Sequence, residues 1–238
     1  MKKIDFKDVI IDECADYYFI NKPPYISSLD ERDLTASSIK NWAKEYNSDS
    51  MLCHRLDKET SGVLVIAKNP EAYRHLAMQF EHREVSKVYH AVSEGLLEFK
   101  DKEIDQPILK MSNGFGKIDR LKGKEAVTFI STLQAFKKHT LLECKPVTGR
   151  LHQIRIHLAH LKASIAGDEK YGGHAVFLSA LKRNFNLKKE TEEQPLMKRV
   201  ALHAYSITFK GLKGEVINAK ASYPKDFEVL LRQLEKNR

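Results

Sequence analysis

One short run, residues 54–62, constrains the fold and the chemistry of this chain more than any other part of it. The run reads His-Arg-Leu-Asp-Lys-Glu-Thr-Ser-Gly, and the apolar residues Val63-Leu64-Val65-Ile66-Ala67 follow directly. An apolar run after a Thr-Ser-Gly turn predicts a buried strand. Asp57, between Arg55 and that turn, fits an ionised nucleophile held at the end of a rigid element. An Asp that only caps the turn near Thr60 is the alternative interpretation.

The run closely resembles the central motif of the RluA-type pseudouridine synthases, enzymes that convert uridine in RNA into its C-glycoside isomer. Further segments follow in the order of that family's motifs, at 87–89, 123–128, 148–158, 167–172, 202–204 and 224–227. The similarity therefore extends from about Ile10 to the C-terminus. A single run can arise by chance, whereas a collinear set indicates the family.

The resemblance implies a set of catalytic and substrate-binding residues. It implies that Asp57 is the nucleophile, that Tyr89 packs against the uracil and takes part in proton transfer, and that Arg155 keeps Asp57 ionised. A cation within about 4–6 Å opposes the rise in pKa that burial gives to a carboxylate. Whether Asp57 attacks the ribose, attacks the base or assists proton removal at C2′ stays open. Substrate contacts are expected from His54, Arg55, Lys87, Arg150 and His152.

Each of these residues also has a structural alternative. Arg55 is planar and stackable, which suits the space left by a flipped uridine, but it also suits a structural ion pair. Lys87 alternates with Val88 along a predicted strand and so shares the face of Tyr89. Three roles are open for Lys87: contact with a phosphate, support of Asp57, or that of an exposed strand lysine. The alternative for Tyr89 is a tyrosine of the hydrophobic core.

The pattern of residues 151–162 predicts an amphipathic helix that carries Arg155. Leu151, Ile154, Leu158 and Leu161 recur at helical spacing and predict its buried stripe. His152 and Arg155 lie three residues apart on a neighbouring face. Arg155 is therefore expected at the edge of the stripe, with a solvated helix arginine as the alternative.

Composition agrees with an RNA partner and argues against several other classes of protein. Lys and Arg number 40 against 32 Asp and Glu, a formal net charge of +8, which suits a polyanion but also a merely basic soluble protein. Cys14, Cys53 and Cys144 are isolated, which argues against disulfides and a thiolate zinc site and for a reducing cytosol. The histidines favour polar contacts over a metal site. The acidic first twenty residues do not form an ordinary signal peptide, and no apolar run approaches membrane-spanning length.

The hydrophobic pattern predicts interleaved strands and helices. Strands are expected at 9–11, 17–20, 63–67, 85–93, 126–134, 140–147, 202–209 and 215–221. Helices are expected at 36–46, 70–80, 151–162, 174–185 and 226–236. Asn69 and Pro70 fit the N-cap and the first helical position of the second helix.

These observations predict a single α+β catalytic domain over residues 1–238, without an S4 domain. As the resemblance implies, its fold is that of the pseudouridine synthases, with a mixed, largely antiparallel central sheet flanked by helices and an RNA-binding cleft. We expect a monomeric, cytoplasmic isomerase that needs no cofactor and no metal and modifies ribosomal or transfer RNA. A noncatalytic RNA-binding protein on the same fold and a metal-dependent nuclease are the competing hypotheses. One local departure is that Pro24 and Tyr25 stand where the family usually has Ala-Gly.

Overall fold

The computed structural model describes residues 4–30, 37–183, 185–187 and 191–238. Its helices are α1 (Phe6–Val9), α2 (Ile39–Tyr46), α3 (Pro70–Glu81), α4 (Gln153–His160), α5 (Leu178–Leu181) and α6 (Lys225–Lys236), with a 3₁₀ turn at Glu169–Tyr171. Its strands are β1 (Ile10–Glu13), β2 (Tyr17–Lys22), β3 (Met51–Leu52), β4 (Ser61–Ala67), β5 (Ser86–Glu94), β6 (Lys102–Asp105), β7 (Ile108–Lys110), β8 (Gly116–Ile118), β9 (Val127–Ala135), β10 (His139–Pro146), β11 (Leu202–Lys210) and β12 (Val216–Lys220). Ala36 of the first predicted helix and Asn184 of the predicted 174–185 helix lie outside the described residues.

The described residues form two compact units, and the chain passes from one to the other after residues 89, 202 and 223. The first unit comprises residues 1–89 and 203–223, and the second comprises residues 90–202 and 224–238. The pairs β1–β2, β2–β4, β3–β4, β6–β9, β7–β8, β9–β10 and β11–β12 are antiparallel, and β4 and β11 are parallel. This confirms the predicted α+β class with mixed, largely antiparallel pairing. That the chain acts as one catalytic domain stays a prediction.

The first unit is built around β4, the strand that follows the 54–62 run. β4 pairs with β2 along its length and with β11 at its start, and all seven of its residues are buried. The predicted buried strand is therefore confirmed. Helix α3 follows, and the side chain of Asn69 accepts a hydrogen bond from the Ala72 N–H at 2.8 Å, as an N-cap does.

Gly62 allows β11 to approach the start of β4. Its φ is +120°, and a Cβ added to it would lie 2.2 Å from the carbonyl oxygen of Ala204. Gly62→Ala should therefore lower the free energy of unfolding by about 2–5 kcal/mol, since it combines backbone strain with a clash against another strand. Urea denaturation measures this loss. Gly149→Ala is the matched control, because a Cβ there meets no heavy atom within 4 Å. Equal stability of the two variants would contradict the prediction.

The second unit is built from antiparallel strands and the buried helix α4. β9 pairs with β10 and with β6, and β7 and β8 form a separate hairpin. The expected amphipathic character of α4 is wrong, because all residues from Gln153 to Leu158 are buried. Among the described residues, no helix has the length and apolar character needed to span a membrane.

Two further differences from the predicted elements have a tertiary cause. The helix expected at 174–185 is reduced to α5, because Phe177 is extended and the Val176 carbonyl accepts a hydrogen bond from the Leu196 N–H at 2.8 Å. The sequence pattern did not predict the strands β6, β7 and β8. They are short and rich in charged residues and glycine, so their pairing partners rather than their apolar side chains define them.

Candidate active site

The loop that carries Asp57 is fixed on the side that precedes this residue. Leu56 is buried, and the hydroxyl of Ser28 forms hydrogen bonds with both its backbone carbonyl and its backbone N–H. The hydroxyl donates to the Leu56 carbonyl at 2.8 Å and accepts the Leu56 N–H at 3.0 Å. Sequence reasoning gave Ser28 no role, since no pattern links two residues 28 positions apart.

The same loop is fixed on the side that follows Asp57 by a buried cation. The ammonium group of Lys22 is fully buried and donates to the carbonyls of Pro23, Ile26 and Lys58 at 2.9, 2.8 and 3.1 Å. The Tyr25 N–H donates to the same Lys58 carbonyl at 2.8 Å. Because these carbonyls replace the water that a buried ammonium loses, the backbone on both sides of Asp57 is held in one conformation.

Asp57 and Tyr89 influence each other electrostatically. Burial raises the pKa of the Tyr89 phenol well above its ordinary value, and the negative charge of Asp57 raises it further. Tyr89 is partly buried and packs against the core of the first unit. Its phenol therefore stays protonated at neutral pH and keeps an O–H that can donate.

His54 and Lys87 both lie close to the Phe80 ring. The His54 Nε2 accepts the Val65 N–H at 3.0 Å, and its ring centroid lies 5.0 Å from that of Phe80. Burial, and then the charge of Lys87, lowers the pKa of His54 to about 3. His54 is therefore neutral and connects the start of the motif to β4 through a polar contact. Its contact with substrate stays a prediction.

Lys87 is a second cation in a partly buried position. Its ammonium lies 5.9 Å from the centroid of the Phe80 ring, and burial lowers its pKa to about 8. It is therefore still mostly protonated at neutral pH. Arg55, in contrast, is exposed although its neighbour Leu56 is buried. An exposed arginine beside a fixed loop is in a suitable place to contact RNA.

In the second unit, Arg155 forms a buried, two-point ion pair with Asp168. Its Nε lies 2.7 Å from Oδ2 and its Nη2 lies 2.6 Å from Oδ1, and the two side chains are 6% and 1% exposed. The guanidinium also lies 5.0 Å from the centroid of the Tyr171 ring. The alternative of a solvated arginine is therefore wrong. Asp168 belongs to a recognised motif, but sequence spacing gave no signal for this pairing. The pairing of Arg155 with Asp57 stays a prediction.

Tyr171 also organises His152 at the start of α4. The Tyr171 hydroxyl lies 2.8 Å from His152 Nδ1 and accepts the Gly116 N–H at 3.1 Å. Arg150, two residues earlier, donates from Nε to the Glu125 carbonyl at 2.8 Å. The predicted residues of this unit thus gather around one end of α4.

The family of the chain follows from comparison with known proteins. Residues 16–160 match the family model described as RNA pseudouridylate synthase. The chain belongs to this family. It is 37% identical to an uncharacterized RNA pseudouridine synthase of Helicobacter pylori (strain ATCC 700392 / 26695), over 96% of the chain and 80% of that protein. It is 35% identical to the ribosomal large subunit pseudouridine synthase C of Buchnera aphidicola, over 97% of the chain and 72% of that protein.

A solved structure shows the same fold. Human RNA pseudouridylate synthase domain containing 4 aligns with a TM-score of 0.76 and 25% sequence identity, over 97% of the chain and 94% of that structure. The predicted pseudouridine synthase fold is thereby confirmed. The protein is an isomerase that converts uridine in RNA to pseudouridine, and the hypotheses of a noncatalytic RNA-binding protein and of a nuclease are wrong.

His157 makes polar contacts through both of its ring nitrogens. His157 Nδ1 lies 2.9 Å from Thr128 Oγ1, and its Nε2 lies 3.0 Å from the Gln106 carbonyl. Burial lowers the pKa of His157, which keeps the ring neutral. Within the described ranges, no three His, Cys, Asp or Glu side chains are grouped so that they could hold a metal ion.

Proposed function

We propose that this pseudouridine synthase modifies uridine in the RNA of the large ribosomal subunit, with Asp57 as its nucleophile. The large-subunit target is supported by the 35% identity with a ribosomal large subunit pseudouridine synthase C over nearly the whole chain. The observation that carries the catalytic assignment is the fixed loop around Asp57, held by Ser28 and Lys22. Catalysis requires a group held in a reactive position, and a loop fixed on both sides provides it.

The reaction needs an ionised carboxylate and a proton carrier but no oxidant or reductant. The N1–C1′ bond breaks, the uracil turns, and a C5–C1′ bond forms. The proton on C5 leaves, and N1 gains one, so atoms and electrons balance. We assign the transfer of these protons to Tyr89, whose phenol carries its proton at neutral pH. An ionised Asp57 serves each of the three paths, which are attack on the ribose, attack on the base and proton removal at C2′.

We assign to Arg155 the task of keeping Asp57 ionised, and to Asp168 the task of positioning Arg155. Nε and Nη2 of the guanidinium donate to Asp168, and two parallel hydrogen bonds fix the plane and the orientation of a guanidinium. This is why the buried partner matters to the reaction.

Arg55 is assigned to the space left by the flipped uridine, because it is exposed next to the fixed loop. Lys87, Arg150 and His152 are assigned to contacts with the RNA, in keeping with the formal net charge of +8. We also place the reaction in the cytoplasm, the compartment that holds ribosomal RNA.

The target is tested by incubating the purified enzyme with deproteinised large-subunit RNA and, separately, with total transfer RNA. Pseudouridines are then mapped by sequencing after carbodiimide treatment. We expect new pseudouridine at discrete positions of the ribosomal RNA and a much lower rate on transfer RNA. Preferential modification of transfer RNA would overturn the proposed target and leave the reaction intact. The Asp57→Asn protein serves as the control for contaminating activity.

A further inference from the structure

Tyr25 has a backbone conformation that aromatic residues rarely adopt. Its φ is 69°, in the left-handed region where a side chain collides with the backbone. Glycine occupies this region at no steric cost. The described residues contain four other non-glycine residues with positive φ, which are Arg83, Asp101, His152 and Lys162.

The conformations of these four residues are explained by their position or their residue type. Arg83 and Lys162 directly follow the C-caps of α3 and α4, where a left-handed residue commonly closes the last turn of a helix. Asp101 and His152 are of residue types that adopt this conformation several times more often than most. Tyr25 directly follows Pro24 in a turn, and the third position of a type II turn takes a positive φ and usually holds glycine. A bulky aromatic residue at this position is strained, and the surrounding contacts hold it there.

The surrounding structure is the network that fixes the Asp57 loop. The Tyr25 N–H and the Lys22 ammonium both donate to the Lys58 carbonyl. Tyr25 is therefore attached to the residue that directly follows Asp57. The residue is nevertheless 49% exposed, so this placement does not serve to bury the ring.

We propose that Tyr25 is a substrate-binding residue whose ring stacks on an RNA base next to the reacting uridine. An exposed ring on a rigid backbone is a suitable platform for a base, because little freedom is lost when the base stacks. The left-handed conformation holds the aromatic residue at the edge of the loop that presents the nucleophile. This inference rests on the proposed role of Asp57 and adds a position that sets affinity for the RNA strand.

Three variants at this position separate the ring from the strain. Tyr25→Phe keeps the ring, Tyr25→Leu removes it, and Tyr25→Gly removes both the ring and the strain. We expect the phenylalanine variant to bind RNA like the wild type. The leucine and glycine variants should raise the Kd for a short RNA substrate about tenfold, the order of one lost base stack. The melting temperature of the glycine variant should stay within about 2 °C of the wild type or exceed it.

Tyr46→Leu is the matched control, since Tyr46 is 45% exposed in the same unit but has a helical backbone. It should leave the Kd for RNA unchanged. A Tyr25→Gly protein that binds RNA as the wild type does would overturn the proposal, and so would an equal loss in Tyr25→Phe. Either result would leave the wild-type reaction untouched, whereas an inactive wild type would overturn the proposed function instead.

Discussion

Asp57→Asn should reduce tritium release from RNA labelled at C5 of uridine by at least about 10³-fold, while RNA binding persists. The substitution keeps the shape of the side chain but removes the ionised carboxylate, and each path considered for the reaction requires that charge. The backbone contacts of the loop are made by its neighbours, so the fold should be retained. Binding is measured separately by filter retention of the same RNA.

Asp49→Asn is the control for this experiment. Asp49 is exposed in the same unit, and the exchange alters the overall charge by the same amount. It should react at the wild-type rate. An Asp57→Asn protein that retains wild-type turnover would overturn the catalytic assignment of Asp57, and a parallel loss in Asp49→Asn would show that net charge alone matters.

Substitution of the two arginines should affect different steps of the reaction. Arg155→Ala should lower the single-turnover rate on every RNA, because the charge is needed after the base has arrived. It also leaves the buried Asp168 without its two-point partner, a loss of about 3–5 kcal/mol in unfolding free energy. Rates must therefore be measured well below the melting temperature of the variant. Arg155→Lys keeps the charge without the two parallel bonds and should recover only part of the rate.

Arg55→Ala should cost most on a structured stem-loop, where unstacking the uridine takes a few kcal/mol, and little on an unstructured strand. Since Arg55 is exposed, its loss should change the unfolding free energy by less than about 0.5 kcal/mol. Single-turnover kinetics of both variants on both RNAs measure the difference. Equal losses of rate for Arg55→Ala on the two RNAs would contradict its role in base flipping. An Arg155→Ala enzyme that reacts at the full rate would contradict the proposed ion pair with Asp57.

The sequence placed the elements whose signal is local. β4 is a continuous apolar run after a turn, and α3 begins at an Asn-Pro pair, so both were predictable from neighbouring residues. The short strands β7 and β8 and the truncated helix α5 were not, because their conformation depends on partners distant in sequence. Helix α4 was predicted as a helix but with an exposed face, since its pattern does not show that Arg155 and His157 are covered.

The sequence by itself determined the family and the reaction, because the collinear motifs that contain Asp57 and Tyr89 are recognisable without knowledge of the tertiary structure. Only the tertiary structure decided how those residues are held. A charge that is buried in a low-dielectric interior requires compensation. Lys22 therefore donates to three backbone carbonyls, and Arg155 forms an ion pair with a carboxylate. Such partners come from wherever the fold brings the chain together. Likewise, only the structure shows that Tyr25 has a φ of 69° in the turn after Pro24, because tyrosine as a residue type rarely adopts this conformation.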